Sequence, residues 1–385
     1  MGEGLRAVLE ARVADGSVPG AVALVAVGDR VEVAAAGTAS VPDGTPMARD
    51  SIFRIASLTK PVTAVATLLL VTEGALAPED PVARWLPELA EPVVVRTPGS
   101  EVTDTVPAVR PVTVADLLEF RAGWGFPEDF SLPAVAPLFS ELRQGPPSPH
   151  AVPEPDAWLR ALARIPMLAQ PGERWLYNTC SDVLGVLVAR ASGRGLPEFL
   201  AERVFGPLGM SDTGFFVPAA DRGRFTSYHR LGPDGERVLA DGPDGDWSRP
   251  PAFPSGAGGL VSTVDDLAAF GRMVLSGGAV PGGGRLLPAE LVRAMVSDRL
   301  TAGQRAAAEL FLDGQGWGWG GSVDVVARDP WNVPGRFGWV GGTGTAWHVV
   351  PSAGRVEVLL TQQELTGPTP LPPVMRGFWE YAAGR

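Results

Sequence analysis

The stretch Phe53-Arg-Ile-Ala-Ser-Leu-Thr-Lys-Pro-Val-Thr-Ala-Val-Ala-Thr-Leu-Leu-Leu-Val71 decides how this chain is read. After Lys60, residues Val62, Val65, Ala66, Leu69 and Leu70 recur at helical spacing. The positions between them are uncharged as well, so the pattern predicts a helix buried on all sides and ending at Gly74. Ser57 and Lys60 stand at its head. In a helix that starts at Ser57, residues three apart share a face, and the hydroxyl and the amine point the same way. Lys60 is the only charged side chain from Ser57 to Thr72. Burying a lone ammonium is costly, so this amine is paired or partly neutral. A neutral amine beside a serine is a general base for a nucleophile. The helix N-terminus adds free N–H groups for a developing oxyanion.

Composition singles out the same lysine. Of the 32 basic residues, 31 are Arg and one is Lys60. Arg stays protonated in proteins, whereas Lys gives up its proton when its surroundings lower its pKa. A single Lys in an Arg-rich chain marks a position where Arg does not serve.

The rest of the composition excludes other classes. The 385 residues suggest two domains or one domain with a large insertion. A net charge of -11 argues against a nucleic-acid partner. One cysteine, Cys180, builds neither an internal disulfide nor a Cys-rich metal site. The three histidines, His150, His229 and His348, have no metal-ligand spacing, so no metal or other cofactor is expected. The first ten residues lack the pattern of a signal peptide, and no run of about 18 uncharged apolar residues is present. The expectation is a cytoplasmic protein with no membrane partner. Oligomeric state is not legible.

Strand signals lie at both ends of the chain. Residues 5–14 read as an amphipathic helix, and 20–27 and 31–36 as strands joined by a Gly-Asp turn. Residues 321–327, 346–350 and 356–361 read as strands, and 371–383 as a closing helix. Between about 80 and 312 the pattern is mainly helical. Capping signals stand at Thr113–Asp116 and Ser262–Asp265, and loops are expected over 127–156 and 231–258. The predicted fold is α/β (α+β): an antiparallel sheet from both chain ends flanked by helices, with a large, mainly helical insertion. The expected division is 1–79, 80–312 and 313–385.

Lys60 needs a second proton carrier, and three tyrosines exist: Tyr177, Tyr228 and Tyr381. Tyr177 sits on a turn leading into a helix, but spacing alone does not select it. The Gly-rich segment Trp339–Thr345 is a turn entering a strand, where glycines let backbone approach a ligand. No Gly-x-Ser-x-Gly elbow or P-loop is present. The Gly316–Gly321 match to Gly-x-Gly-x-x-Gly opens a strand rather than a helix, which rules against a dinucleotide site.

Together these residues resemble the serine β-lactamase and penicillin-binding-protein superfamily, with class C β-lactamases and family VIII carboxylesterases nearest in pattern. Phe53–Lys60 looks like the first motif. Pro171–Tyr177 with Asp182–Gly185 looks like the second, and Gly338–Gly341 with Gly344-Thr345 like the third. Phe205–Met210, Gly258–Thr263 and Thr113–Leu118 are further family-like stretches, so the likeness runs in order from about residue 5 to 383. The resemblance implies Ser57, Lys60 and Tyr177 as catalytic residues and the N–H groups of Ser57 and Gly342 as the oxyanion hole. It also implies Trp339, Gly341, Thr179 and Trp124 at the substrate.

Two departures shape the functional expectation. The third motif usually begins with Lys or His, where this chain has Trp339, as in family VIII esterases. The second usually has Asn two residues after its Tyr, where this chain has Thr179. Both weaken recognition of β-lactams and D-peptides, and Arg336 and Arg54 are the candidate replacement cations. The resemblance therefore implies hydrolysis of a small-molecule carboxylic ester through an acyl-enzyme. β-Lactamase, D-amino-acid peptidase or amidase, and transacylase are alternatives, as is a catalytically silent binding or scaffold homologue.

Overall fold

The computed structural model describes residues 2–40, 44–145 and 148–385. Its centre is an eight-stranded antiparallel sheet that joins the two ends of the chain. The strand order is Gly316–Trp317, Ser322–Val323, Phe337–Gly341, Thr345–Val350, Arg355–Thr361, Gly20–Val27, Arg30–Ser40 and Thr45–Pro46. The Gly20–Val27 strand is buried along nearly its whole length because both faces are covered. Ala21, Ala23 and Val25 pack with Leu5 and Leu9 of the Gly2–Ala14 helix and with Phe378 and Trp379 of the Pro373–Ala383 helix. Val22, Leu24 and Ala26 face the main core, which holds Val62, Val65 and Leu69. The period-2 alternation of a strand makes this division.

The Thr59–Thr72 helix runs through that core, with every residue from Thr59 to Leu70 buried. Each fully buried Val or Leu contributes roughly 1.5–3 kcal/mol. The helix packs against the Thr179–Ser192 helix, which brings the head of one beside the head of the other. The Gly316–Gly321 motif has a packing role here. A Cβ on Gly320 would lie 2.7 Å from the Ala64 Cβ and 2.9 Å from the Lys60 carbonyl, so glycine allows the hairpin to approach this helix closely.

Several expected elements differ in extent. Ser57 is not in the α-helix. It lies in a 3-10 turn, Ala56–Leu58, that leads into it. The strand expected over 321–327 stops at Val323: the partner segment turns where the Arg336 N–H donates to the Val333 carbonyl, and the Val325 and Val326 N–H groups donate to the Gln315 side chain instead of a neighbouring strand. The loop expected over 231–258 contains a strand, Arg237–Asp241, paired with Tyr228–Leu231. The loop expected over 127–156 carries a short helix, Ala136–Ser140, and two of its residues, 146 and 147, lie outside the described residues. Thr113 and Asp116 form the expected capping box, whereas the second cap is Thr263 rather than Ser262. Ser262 instead pairs with Phe53 in a short two-stranded sheet. Among the described residues, no helix is long and apolar enough to cross a membrane.

Candidate active site

Ser57 owes its position to backbone that few residues adopt. Ala56, just before it, has φ 43°, a left-handed conformation costing a non-glycine residue about 1–3 kcal/mol. The Thr59 hydroxyl donates to the Ala56 carbonyl at 2.7 Å and Thr345 donates to the Ile55 carbonyl at 3.1 Å, which hold the turn from both sides. On the facing element, Asn178 has φ 83°, and Asn tolerates that region better than most residues. The sharp turn there presents Tyr177 and Asn178 before the Thr179–Ser192 helix begins.

These two turns bring Ser57, Lys60 and Tyr177 together. The Ser57 Oγ lies 2.8 Å from the Lys60 Nζ and 2.9 Å from the Tyr177 hydroxyl. The Lys60 Nζ has two further partners, the Asn178 Oδ1 at 2.9 Å and the Ala257 carbonyl at 2.7 Å. A neutral amine has two N–H donors and one lone pair. Its three neighbours can accept all three N–H groups of the ammonium, and once the proton is lost Asn178 and Ala257 keep the two N–H groups while the lone pair turns to the Ser57 hydroxyl. Complete burial pushes the Lys60 pKa down to about 7, against the opposing pull of the Asp182 carboxylate.

Asp182 is itself buried. Burial raises its pKa, while the Ser255 hydroxyl, the Lys60 charge and the Ala257 N–H favour its anion. The Ser255 Oγ donates at 2.6 Å and the Ala257 N–H at 3.1 Å. Ala257 thus links the two groups: its N–H donates to Asp182 while its carbonyl accepts from Lys60. The Tyr177 phenol is pushed up to about 12 by burial, partly countered by its bonds with Ser57 and Trp339, so it keeps its proton at neutral pH.

The other sequence-predicted residues divide. Gly342 lines the same cleft as Ser57 and is exposed. Gly341 is buried behind it, in the strand that pairs with Thr345–Val350. The Trp339 Nε1–H donates to the Tyr177 hydroxyl at 2.7 Å, and its ring meets Trp317 edge-on. Its only N–H is thereby directed to Tyr177 rather than to a substrate. Thr179 is fully buried and donates to the Gln144 Oε1 at 2.8 Å, and Trp124 is buried with its Nε1–H on the Ile165 carbonyl. Neither lines the cleft: Trp124 packs in the core, and Thr179 is bonded to Gln144, which stands on the cleft wall.

The candidate cations are also committed elsewhere. Arg54 is buried against Asp241 and donates to the Thr226 carbonyl, and Arg336 lies between Asp324 and Glu357. Sequence reasoning missed Asn178, the Ala257 carbonyl and the Gln144 and Ser255 contacts. Asn178 had a signal, being adjacent to Tyr177. The Ala257 carbonyl had none, since a backbone acceptor leaves no mark on residue type.

Gly341 offers a direct check of this packing. A Cβ there would meet the Thr345 Oγ1 at 2.2 Å and the Ile55 carbonyl at 2.5 Å. Gly341→Ala should therefore force the hairpin carrying Gly342 away from the Ser57 turn. A loss of about 1–3 kcal/mol in stability is expected by urea denaturation, together with reduced turnover. Unchanged stability and rate would mean the two segments are not in the contact described.

The chain belongs to the β-lactamase family, whose defining sequence pattern, Beta-lactamase, matches residues 5–372. Among curated proteins it is 39% identical over 356 residues to Protein Rv1367c of Mycobacterium tuberculosis, covering 90% of this chain and 86% of that one. It is 32% identical over 385 residues to Esterase EstB of Burkholderia gladioli, covering 94% and 91%. Among solved structures, EstCE1, a hydrolase with promiscuous acyltransferase activity, superposes with a TM-score of 0.80 at 23% identity, covering 99% of this chain and 98% of that one. The last likeness establishes the fold.

Proposed function

We propose that this protein is a serine esterase that hydrolyses small-molecule carboxylic esters through an acyl-Ser57 intermediate. The observation that carries the reading is the Ser57 Oγ held between a lysine amine with a pKa of about 7 and a protonated tyrosine. Ser57 attacks the ester carbonyl carbon as its proton passes to Lys60. The oxyanion is stabilised by the N–H groups of Ser57 and Gly342. Collapse breaks the bond to the leaving oxygen, which takes a proton through Tyr177 as the alcohol departs. Water then attacks the acyl carbon, and Ser57 is released with its proton. Trp339 and Asn178 hold Tyr177 and Lys60 in place for these transfers.

Two observations support an ester over a β-lactam or a D-peptide. Trp339 stands where the family's cationic third-motif residue is expected, and Arg54 and Arg336 are held in ion pairs. The 32%-identical relative is named an esterase. A panel of p-nitrophenyl esters, nitrocefin and a D-Ala-D-Ala peptide tests the reading. Esters should be turned over at least 100-fold faster than the others. Preference for nitrocefin or the peptide would overturn it.

The pH profile is a second check. The neutral amine is the working base, and its fraction rises with pH through its pKa. The kcat/KM profile should therefore climb to a midpoint near pH 7 and level off above it. Asp182 opposes the lowering, so Asp182→Asn should move that midpoint to lower pH. A flat profile from pH 5 to 9 would contradict the amine as base.

A further inference from the structure

The cleft that contains Ser57 and Gly342 carries three charged side chains on its wall among the described residues: Asp182, Arg143 and Glu364. Asp182 is buried and committed to Ser255, Ala257 and Lys60. Arg143 is exposed, between the buried Leu142 and Gln144. Glu364 is placed differently. Its N–H donates to the His229 carbonyl at 2.8 Å, and the next residue, Leu365, donates to the Gly342 carbonyl at 2.8 Å. The segment bearing this carboxylate is thus tied to the backbone of the proposed oxyanion glycine, and among the described residues the Glu364 carboxylate is in no ion pair.

Tyr228 stands beside it. It is 4% exposed, its ring lines the same cleft, and its buried hydroxyl is turned toward the Glu364 carboxylate. Burial first, and the nearby Glu364 carboxylate second, raise the Tyr228 pKa, which keeps the phenol a neutral donor and acceptor. Aromatic rings of Trp247 and Phe253 continue the wall. Arg54 lies over the Tyr228 and Trp247 rings at 5.9 and 5.2 Å, but its charge is compensated by Asp241. An aromatic wall with one unpaired carboxylate attracts a cation or a hydrogen-bond donor and repels an anion.

We propose that Glu364, set against the Tyr228 ring, forms a polar subsite that binds a cationic or hydrogen-bond-donating group of the substrate and turns carboxylates away. This rests on the ester-hydrolysis reading and adds a substrate class to it: esters with an ammonium or amine a few atoms from the scissile carbonyl. It also supplies a repulsive element against β-lactams and D-alanyl peptides, which carry a carboxylate near the bond that is cleaved.

Three thioesters of matched size separate the terms: acetylthiocholine, its uncharged S-(3,3-dimethylbutyl) isostere, and S-acetyl-4-sulfanylbutanoate. Thiol release gives kcat/KM for each. The wild type should prefer them in that order. Glu364→Gln should reduce the cationic preference about five- to tenfold while leaving the neutral isostere within about twofold. Glu364→Arg should place the carboxylate substrate ahead of the cationic one, and Arg143→Ala should leave the wild-type order intact. An order unmoved by both Glu364 variants, or one reversed by Arg143→Ala, would overturn the subsite. Calorimetry of choline with Ser57→Ala tests the subsite without turnover. Choline should bind, and bind more weakly when Glu364→Gln is added; no binding overturns the subsite. If the wild type leaves all three thioesters intact while choline binds, it is the esterase reading that fails.

Discussion

Lys60→Arg should lower kcat for ester hydrolysis by about 10³-fold with the fold intact. The substitution keeps positive charge and length but removes a group able to lose its proton. General-base transfer contributes about 10²–10⁴ in rate, and no other residue of the Thr59–Thr72 helix carries a basic side chain. Arg is also larger, and the Lys60 side chain is wholly buried, so the measurement pairs kinetics with a melting curve. A folded variant with full activity would remove Lys60 from proton transfer. Its rate should in addition lose the limb near pH 7, because the group that titrates there is gone.

Ser57→Ala should be the more severe change, lowering kcat by about 10⁴-fold or more. The hydroxyl is the attacking atom, and what survives its loss in comparable triads is only the contribution of the oxyanion hole and binding. Little structural cost is expected. Ser57 lies in a 3-10 turn held by Thr59 and Thr345, neither of which bonds its side chain. The partners left behind are Lys60, which retains Asn178 and Ala257, and Tyr177, which retains Trp339. Combining Ser57→Ala with Lys60→Arg should add almost nothing to the single loss, since the two residues act in one step. Additive losses would show that they act separately.

The parts of this site that were legible in the sequence were those where chemistry constrains residue type. A lone Lys within an uncharged, helix-periodic run had to be buried, and a buried Lys needs a special environment. The sheet was legible for a similar reason, since strands such as Gly20–Val27 carry continuous small apolar residues that only a two-sided cover explains. Tyr177 was different. Spacing did not distinguish it from Tyr228, and only the likeness of its surrounding motif selected it. Trp339 and Thr179 are expected at the substrate from motif position, which says which residue is near, not where its side chain points, and Trp124 lies in none of the motifs. Once folded, the Trp339 N–H serves Tyr177, and Thr179 and Trp124 satisfy their polar atoms within the core. The Asn178 contact with Lys60 depends on a left-handed backbone turn, which residue type alone does not announce.

Fluorophosphonate labelling, followed by peptide mass spectrometry across pH, tests most directly whether this serine is made nucleophilic by its neighbouring amine. A single adduct on Ser57 is predicted, with a labelling rate that rises through pH 7 in the wild type and collapses in Lys60→Arg. An adduct elsewhere, no adduct at all, or labelling of Ser57 at the same rate in the variant would contradict the account.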